Sequence, residues 1–152
     1  MTVGIISDTH GLLRPEAVVA LKDSQLILHA GDIGDADILE RLRAIAPTVA
    51  VRGNVDTSPW ATVLPLTEVV AVGDLQLYML HNLSDLDLNP RAAGFAAVIS
   101  GHTHRPLADV RDGVLYLNPG SAGPRRFSLP IAVARLEVTG ADLAYEMIEL
   151  RV

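Results

Sequence analysis

Val3-Gly4-Ile5-Ile6-Ser7-Asp8-Thr9-His10 opens with an apolar run that stops on a carboxylate and an imidazole two residues apart. The run, residues 3–7, reads as a buried strand. Pro15 then suits the first turn of a helix with Ala17, Val18 and Leu21 along one face. A second apolar run, Leu26–His29, ends in Ala30-Gly31-Asp32. In the next helix Asp37 and Glu40 are spaced as a capping box, and Ile38, Leu42 and Ile45 form the apolar stripe. Pro47 closes that helix, and residues 48–51 make a third strand ending in Arg52-Gly53-Asn54. Strands alternating with helices in this way predict a β-α-β-α-β unit with parallel strands and right-handed crossovers.

The rest of the chain is richer in hairpins. Residues 68–72 and 75–80 flank the turn pair Gly73-Asp74, and His81 ends the second run. Residues 82–94 are polar and turn-rich, with room for a short helix. Residues 97–100 form a buried strand that ends in Gly101-His102-Thr103-His104. Hairpins are expected for 107–110 with 114–117, and for 131–138 with 143–150 around Gly140; residues 118–130 are a loop. Two sheets with helices outside them is the natural packing, so the fold class is α/β.

The 152 residues fit one domain, 1–152, and 49% are hydrophobic, enough to bury a core without staples. The chain has no cysteine, which excludes disulfides and zinc–thiolate sites and suits a reducing cytoplasm. No apolar run approaches the ~20 residues of a membrane span, and no secretory signal is visible at the start. A formal net charge of −6 argues against a dedicated nucleic-acid or anionic-lipid surface.

Seven candidate metal ligands stand where apolar strands end: Asp8, His10, Asp32, Asn54, His81, His102 and His104. Each alone has a plainer reading. Asp32 suits a helix cap, Asn54 a left-handed turn, and a single histidine a core position. The acidic stretch Asp32-Ile33-Gly34-Asp35-Ala36-Asp37 lacks the spacing and closing glutamate of an EF-hand loop. Their coincidence is the signal, because strand ends of an open α/β sheet converge on one crevice. Four of the five histidines belong to the set; His29, inside the second strand, is assigned to the core or to support of the ligands. In the two pairs spaced i, i+2, extended backbone would point both side chains the same way. Nitrogen and oxygen donors without thiolate suit manganese, iron or zinc.

Taken in order, Asp8-x-His10, Gly31-Asp32, Gly53-Asn54, His81 and Gly101-His102-x-His104 resemble the calcineurin-like metallophosphoesterase superfamily. Val51-Arg52-Gly53-Asn54 and Leu117-Asn118-Pro119-Gly120-Ser121, followed by Pro124-Arg125, are similar to its small YfcE-type phosphodiesterase branch. The resemblance implies a four-layer α-β-β-α sandwich of two mixed sheets flanked by helices, with two divalent metal ions. Manganese is the expected metal, with zinc, iron or nickel as substitutes. By the same resemblance Asp8, His10 and His104 bind one ion, Asn54, His81 and His102 the other, and Asp32 bridges them. Two departures stand out. Relatives carry histidine or cysteine after the Gly-Asn pair where this chain has Val55, and glycine after the His81 position where it has Asn82.

The implied activity is a metal-dependent phosphodiesterase acting on a small phosphoester. A hydroxide held between two cations ~3.5–4 Å apart would attack phosphorus in line. Asp32, Asn54 and His81 are the catalytic candidates, and Arg52, Arg105 and Arg125 are candidates for gripping phosphate oxygens. With valine at position 55 no side chain there protonates the leaving group, so acidic leaving alcohols are expected to be favoured. Two alternatives remain open: a phosphomonoesterase, or a non-catalytic protein-binding scaffold like the retromer subunit that shares this fold. Relatives often form homodimers, and the apolar composition permits one.

Overall fold

The computed structural model describes residues 1–152. Its strands and helices in chain order are β1 (Thr2–Ile6), α1 (Pro15–Leu21), β2 (Leu26–His29), α2 (Ala36–Arg43), β3 (Thr48–Ala50), α3 (Pro59–Thr62), β4 (Thr67–Val72), β5 (Leu75–Leu80), α4 (Pro90–Ala93), β6 (Ala97–Ile99), β7 (Leu107–Arg111), β8 (Val114–Asn118), β9 (Ala132–Thr139) and β10 (Asp142–Glu149). A 3-10 turn, Leu83–Asp85, precedes α4.

Two five-stranded sheets result, in the orders β10-β9-β1-β2-β3 and β4-β5-β6-β8-β7. Both are mixed. The β1, β2 and β3 strands run parallel, as a β-α-β-α-β unit requires, while β9 and β10 complete that sheet antiparallel. In the second sheet β5, β6 and β8 are parallel, and β4 and β7 close the edges as hairpin partners.

The period-two alternation of the strands builds the layers. Val3 and Ile5 join Leu28, Leu77, Met79 and Ile99 in the core between the sheets. Ile6, Ile27 and Val133 point the other way and pack under Ala17, Leu21, Ile38, Leu39 and Leu42 of α1 and α2. Burying each of these large aliphatic side chains contributes about 1.5–3 kcal/mol. The outer face of the second sheet, Tyr78, Leu80, Val98 and Val114, is covered more thinly. There Leu83, Leu86, Leu88 and Phe95 pack on it from the 3-10 turn and the segments around α4. The α-β-β-α order therefore holds, with a slight fourth layer.

The N-cap of α2 is Asp35, not Asp37. The extended backbone of Asp35 (φ −151°) lets its carboxylate accept the Asp37 N–H at 3.0 Å, which places Asp37 inside the first turn. Ile45 lies beyond the helix end but still packs on the core. The α3 helix, with Pro59 at its start, was not expected. At four residues it is too short to show an apolar period. The last hairpin starts one residue later than expected, because Ile131 is taken up in an isolated bridge to Ser121.

All the parallel strands of a sheet end on one side of it. Asp8, Asp32 and Asn54 follow β1, β2 and β3, while His81 and the His102/His104 pair follow β5 and β6. The sandwich thereby brings segments nearly a hundred residues apart to a common rim.

Candidate metal centre

Asp8, His10, Asp32, His102 and His104 all have left-handed backbone, with φ between 46° and 74°. Only two other non-glycine residues, Asp112 and Phe127, share it. Such a conformation costs about 1–2 kcal/mol per residue for L side chains. The chain therefore turns sharply as it leaves each strand, and the ligand pairs converge through these turns. The i, i+2 argument from extended backbone does not apply, although the convergence it anticipated is present.

Two groups of side chains form. Asp8, His10 and His104 make one, and Asp32, His81 and His102 the other; in each, one ligand atom per residue lies within 4.8 Å of the rest. His10 Nε2 is 3.2 Å from His104 Nε2, and His104 Nε2 is 3.4 Å from Asp8 Oδ1. His81 Nε2 is 3.2 Å from Asp32 Oδ2, and His102 Nδ1 is 3.2 Å from Asn54 Oδ1. Asp32 Oδ2 also lies 3.7 Å from His10 Nε2, so this oxygen faces both groups. All seven residues read from the motifs meet here.

Several donor atoms face one another. His81 Nδ1–H donates to Ala30 O at 2.7 Å, which turns the Nε2 lone pair toward the two carboxylates. Asp8 Oδ1, His81 Nε2 and His104 Nδ1 are buried without a hydrogen-bond partner. Of these, Asp8 Oδ1 and His81 Nε2 face each other at 3.9 Å; two such lone pairs repel, and a cation or a proton between them relieves this. The nitrogen and carboxylate donors suit a borderline or hard divalent ion.

The titration behaviour agrees. Burial pushes Asp8 above the ordinary carboxylate range, although Ser7 Oγ–H at 2.7 Å and the His102 N–H at 3.1 Å stabilise its anion. Burial would also raise Asp32, but the close approach of His81 and the Val55 N–H at 3.0 Å hold it below the ordinary value. For His81 burial disfavours the charged ring, yet Asp32, Asp8 and the Ala30 carbonyl outweigh that and raise its pKa. Burial lowers His104, and Arg126 adds to the effect, which favours the neutral ring that a metal requires.

Glycines make room for these contacts. A Cβ on Gly101 would lie 2.7 Å from Asp8 Oδ2 and closer still to Ser7 Oγ. One on Gly53 would meet Asp32 Oδ1 and the Asp32 amide nitrogen. Several supporting residues do not stand out in the sequence. Buried Asp56 accepts from the amides of Ile33, Gly34 and Gly53, tying the Asp32 turn to the Asn54 turn. Asn118 Nδ2 donates to Gly101 O and Ser121 Oγ to Asp8 O. A polar residue closing an apolar strand run was the available signal for Asn118; Asp56, in the turn beyond Asn54, has none. His29 is fully buried, as assigned: its Nδ1 accepts the Gly31 N–H at 3.1 Å. Its Nε2 then carries the proton toward Thr9 Oγ1 at 3.0 Å, and that hydroxyl donates to Ile33 O.

A cavity of about 490 Å³ adjoins the second ligand group, and Arg52, Asn54, His81, Asn82 and His102 are among its lining residues. Asn82 caps the 3-10 turn with its side-chain oxygen at this rim. Arg105 is exposed and does not line the cavity, while Arg125 is turned to Leu129 O in its own loop. Its neighbour Arg126 is the arginine whose charge bears on His104.

Residues 1–141 match the calcineurin-like phosphoesterase superfamily domain. A probable metallophosphoesterase of Methanothermobacter thermautotrophicus is 34% identical over 164 residues, covering 97% of this chain and 92% of that one. Phosphodiesterase YfcE of Escherichia coli strain K12 is 27% identical over 167 residues, covering 90% of this chain and 88% of YfcE. Among solved structures, Vacuolar Protein Sorting 29 from Cryptosporidium parvum has the same fold, with a TM-score of 0.84 at 21% identity, covering 99% of this chain and 91% of that one.

Proposed function

The chain belongs to the calcineurin-like phosphoesterase superfamily, and from that premise we propose that it is a metal-dependent phosphodiesterase with a dinuclear centre. The observation that carries the reading is the pair of adjoining ligand groups, with Asp8 Oδ1 and His81 Nε2 buried and unpartnered where the groups meet. Asp8, His10 and His104 would hold one divalent ion, and Asn54, His81 and His102 the other. Asp32, whose Oδ2 faces both groups, would join them. Manganese is the metal proposed, with zinc, iron or nickel as substitutes for the same donors. When bound, such ions supply Lewis acidity toward the phosphoryl oxygens and lower the pKa of water toward ~7.

The chain's own residues do the rest. Asp32 stays ionised, held by His81 and the Val55 amide. His102 is exposed and, with Asn54, borders the cavity where a phosphoester would enter. Arg52 lines the same cavity and offers a guanidinium to phosphate oxygens. The Val55 side chain is exposed and has no proton to give, so the leaving alcohol departs on its own acidity. Diesters with acidic alcohols are the favoured substrates on that ground. Residues 1–152 act as one unit in this proposal, since strands from both halves share the inter-sheet core. A cytoplasmic setting accords with the thiol-free composition.

The likeness to Vacuolar Protein Sorting 29 supports a second reading, a protein-binding scaffold. The converging donor groups, with five of the seven candidate ligands on left-handed backbone, favour the enzymatic reading. The test is hydrolysis of bis(p-nitrophenyl) phosphate with added manganese. Turnover should fall about 100-fold or more in Asp32→Ala, beyond what loss of a merely supporting residue does. Equal rates in the variant would overturn the proposal, and faster hydrolysis of p-nitrophenyl phosphate would assign a monoesterase.

A further inference from the structure

The cavity beside the ligand groups extends over the Tyr78 and Leu80 side of β5. Tyr78 stacks on Phe95, with ring centroids 5.1 Å apart, which makes this floor firm. One end of the cavity holds His81, only 6% exposed and with its Nε2 unpartnered. The wall also carries Asp85 and Asp87, from the segment that follows His81, and Arg52. Arginine ion pairs elsewhere join Arg43 to Glu40, Arg111 to Asp109 and Arg135 to Glu146. They leave Arg52, Asp85 and Asp87 uncommitted.

We propose that this cavity selects phosphodiesters in which one alcohol is small, bears hydrogen-bond donors and carries no negative charge, with Asp85 and Asp87 as the specificity-determining residues. The inference rests on the phosphodiesterase reading of the same site. Its chemistry is that of the wall. An ionised carboxylate only accepts hydrogen bonds, so two of them call for donors, as a protonated amine or as neighbouring hydroxyls. Asp85 and Asp87 are exposed, so they stand at the open side of the cavity, where an anionic arm would meet two like charges. Arg52, which precedes Gly53-Asn54 and also lines the cavity, is the cation assigned to the phosphate in this proposal. The volume of about 490 Å³ accommodates such an arm beside the phosphoryl group.

The test uses p-nitrophenyl phosphodiesters that share a leaving group and differ in the second alcohol: 2-aminoethanol, glycerol or glycolate. In the manganese-loaded protein, kcat/KM for the aminoethyl or glyceryl ester should exceed that for the carboxymethyl ester by about 10- to 100-fold, the range of one or two charge-assisted hydrogen bonds. Preference for the aminoethyl arm alone assigns an ammonium ligand, and for the glyceryl arm alone a diol; either upholds the proposal. In Asp85→Asn/Asp87→Asn the ratio should shrink to about threefold or less, as charge assistance is lost. The ratio is internal to each protein, so a general loss of activity does not affect it. No preference among the arms, or one that survives in the double variant, overturns the proposal. Calorimetric titration with O-phosphoethanolamine and 2-phosphoglycolate reads selection without turnover. If no diester is hydrolysed but phosphoethanolamine binds more tightly in a manner dependent on Asp85 and Asp87, selection stands and the phosphodiesterase reading falls. If diesters are hydrolysed with no ranking of the arms, the phosphodiesterase reading stands and selection falls.

Discussion

Asp56 and His29 hold in place the turns that carry the candidate ligands. Three amides, from Ile33, Gly34 and Gly53, converge on the buried Asp56 carboxylate. Asp56→Ala would leave those N–H groups without a partner, and a loss of about 3 kcal/mol is expected in urea denaturation. Metal affinity should fall at least about tenfold in the same variant, because Asp32 and Asn54 sit on the turns Asp56 joins. His29 gives a pH signature. Burial lowers its pKa to about 3, with His81 adding to the effect, whereas the unfolded chain takes up this proton near the ordinary value of 6.5. Between those values the unfolded state binds more protons, so this residue's contribution to stability falls as pH falls. Stability measured from pH 6.5 down to 4 should lose up to about 1.4 kcal/mol per pH unit from this residue, a slope that His29→Gln removes. An unchanged slope in the variant would contradict the assignment.

At the scale of elements, the strands and the two longer helices were legible because each carries its own period. Runs such as Leu26–His29 alternate between the inter-sheet core and the helix-covered face, and α2 shows its stripe in Ile38 and Leu42. Helix starts were less legible. Asp35 and Asp37 are equally good caps by residue type, and only the extended backbone of Asp35 distinguishes them. Asp35→Ala should therefore lower the melting stability by about 1 kcal/mol, and Asp37→Ala by less than half of that, from its weaker interaction with the helix dipole. The α3 helix and the 3-10 turn lay below what periodicity can resolve, since neither exceeds four residues. Their order comes instead from packing: Ala61 is buried, and Leu83 lies against the outer cluster of the second sheet.

At the scale of the whole molecule, seven side chains from five strand ends meet because two sheets with parallel centres deliver their termini to one rim. Those candidate ligands could be read in order along the chain, since each follows an apolar run and several follow a glycine. The supporting contacts could not, because Asp56, Asn118 and Ser121 bond to backbone groups of segments distant in sequence. Nor could Arg126 be told from Arg125 in a loop without a period. The central claim is that this rim holds two adjacent divalent ions, and elemental analysis of protein saturated with manganese and then desalted tests it most directly. Two ions per chain are expected, with no more than one retained by Asp32→Ala. A metal content near zero in the unaltered protein, or one equal in both proteins, would contradict the account.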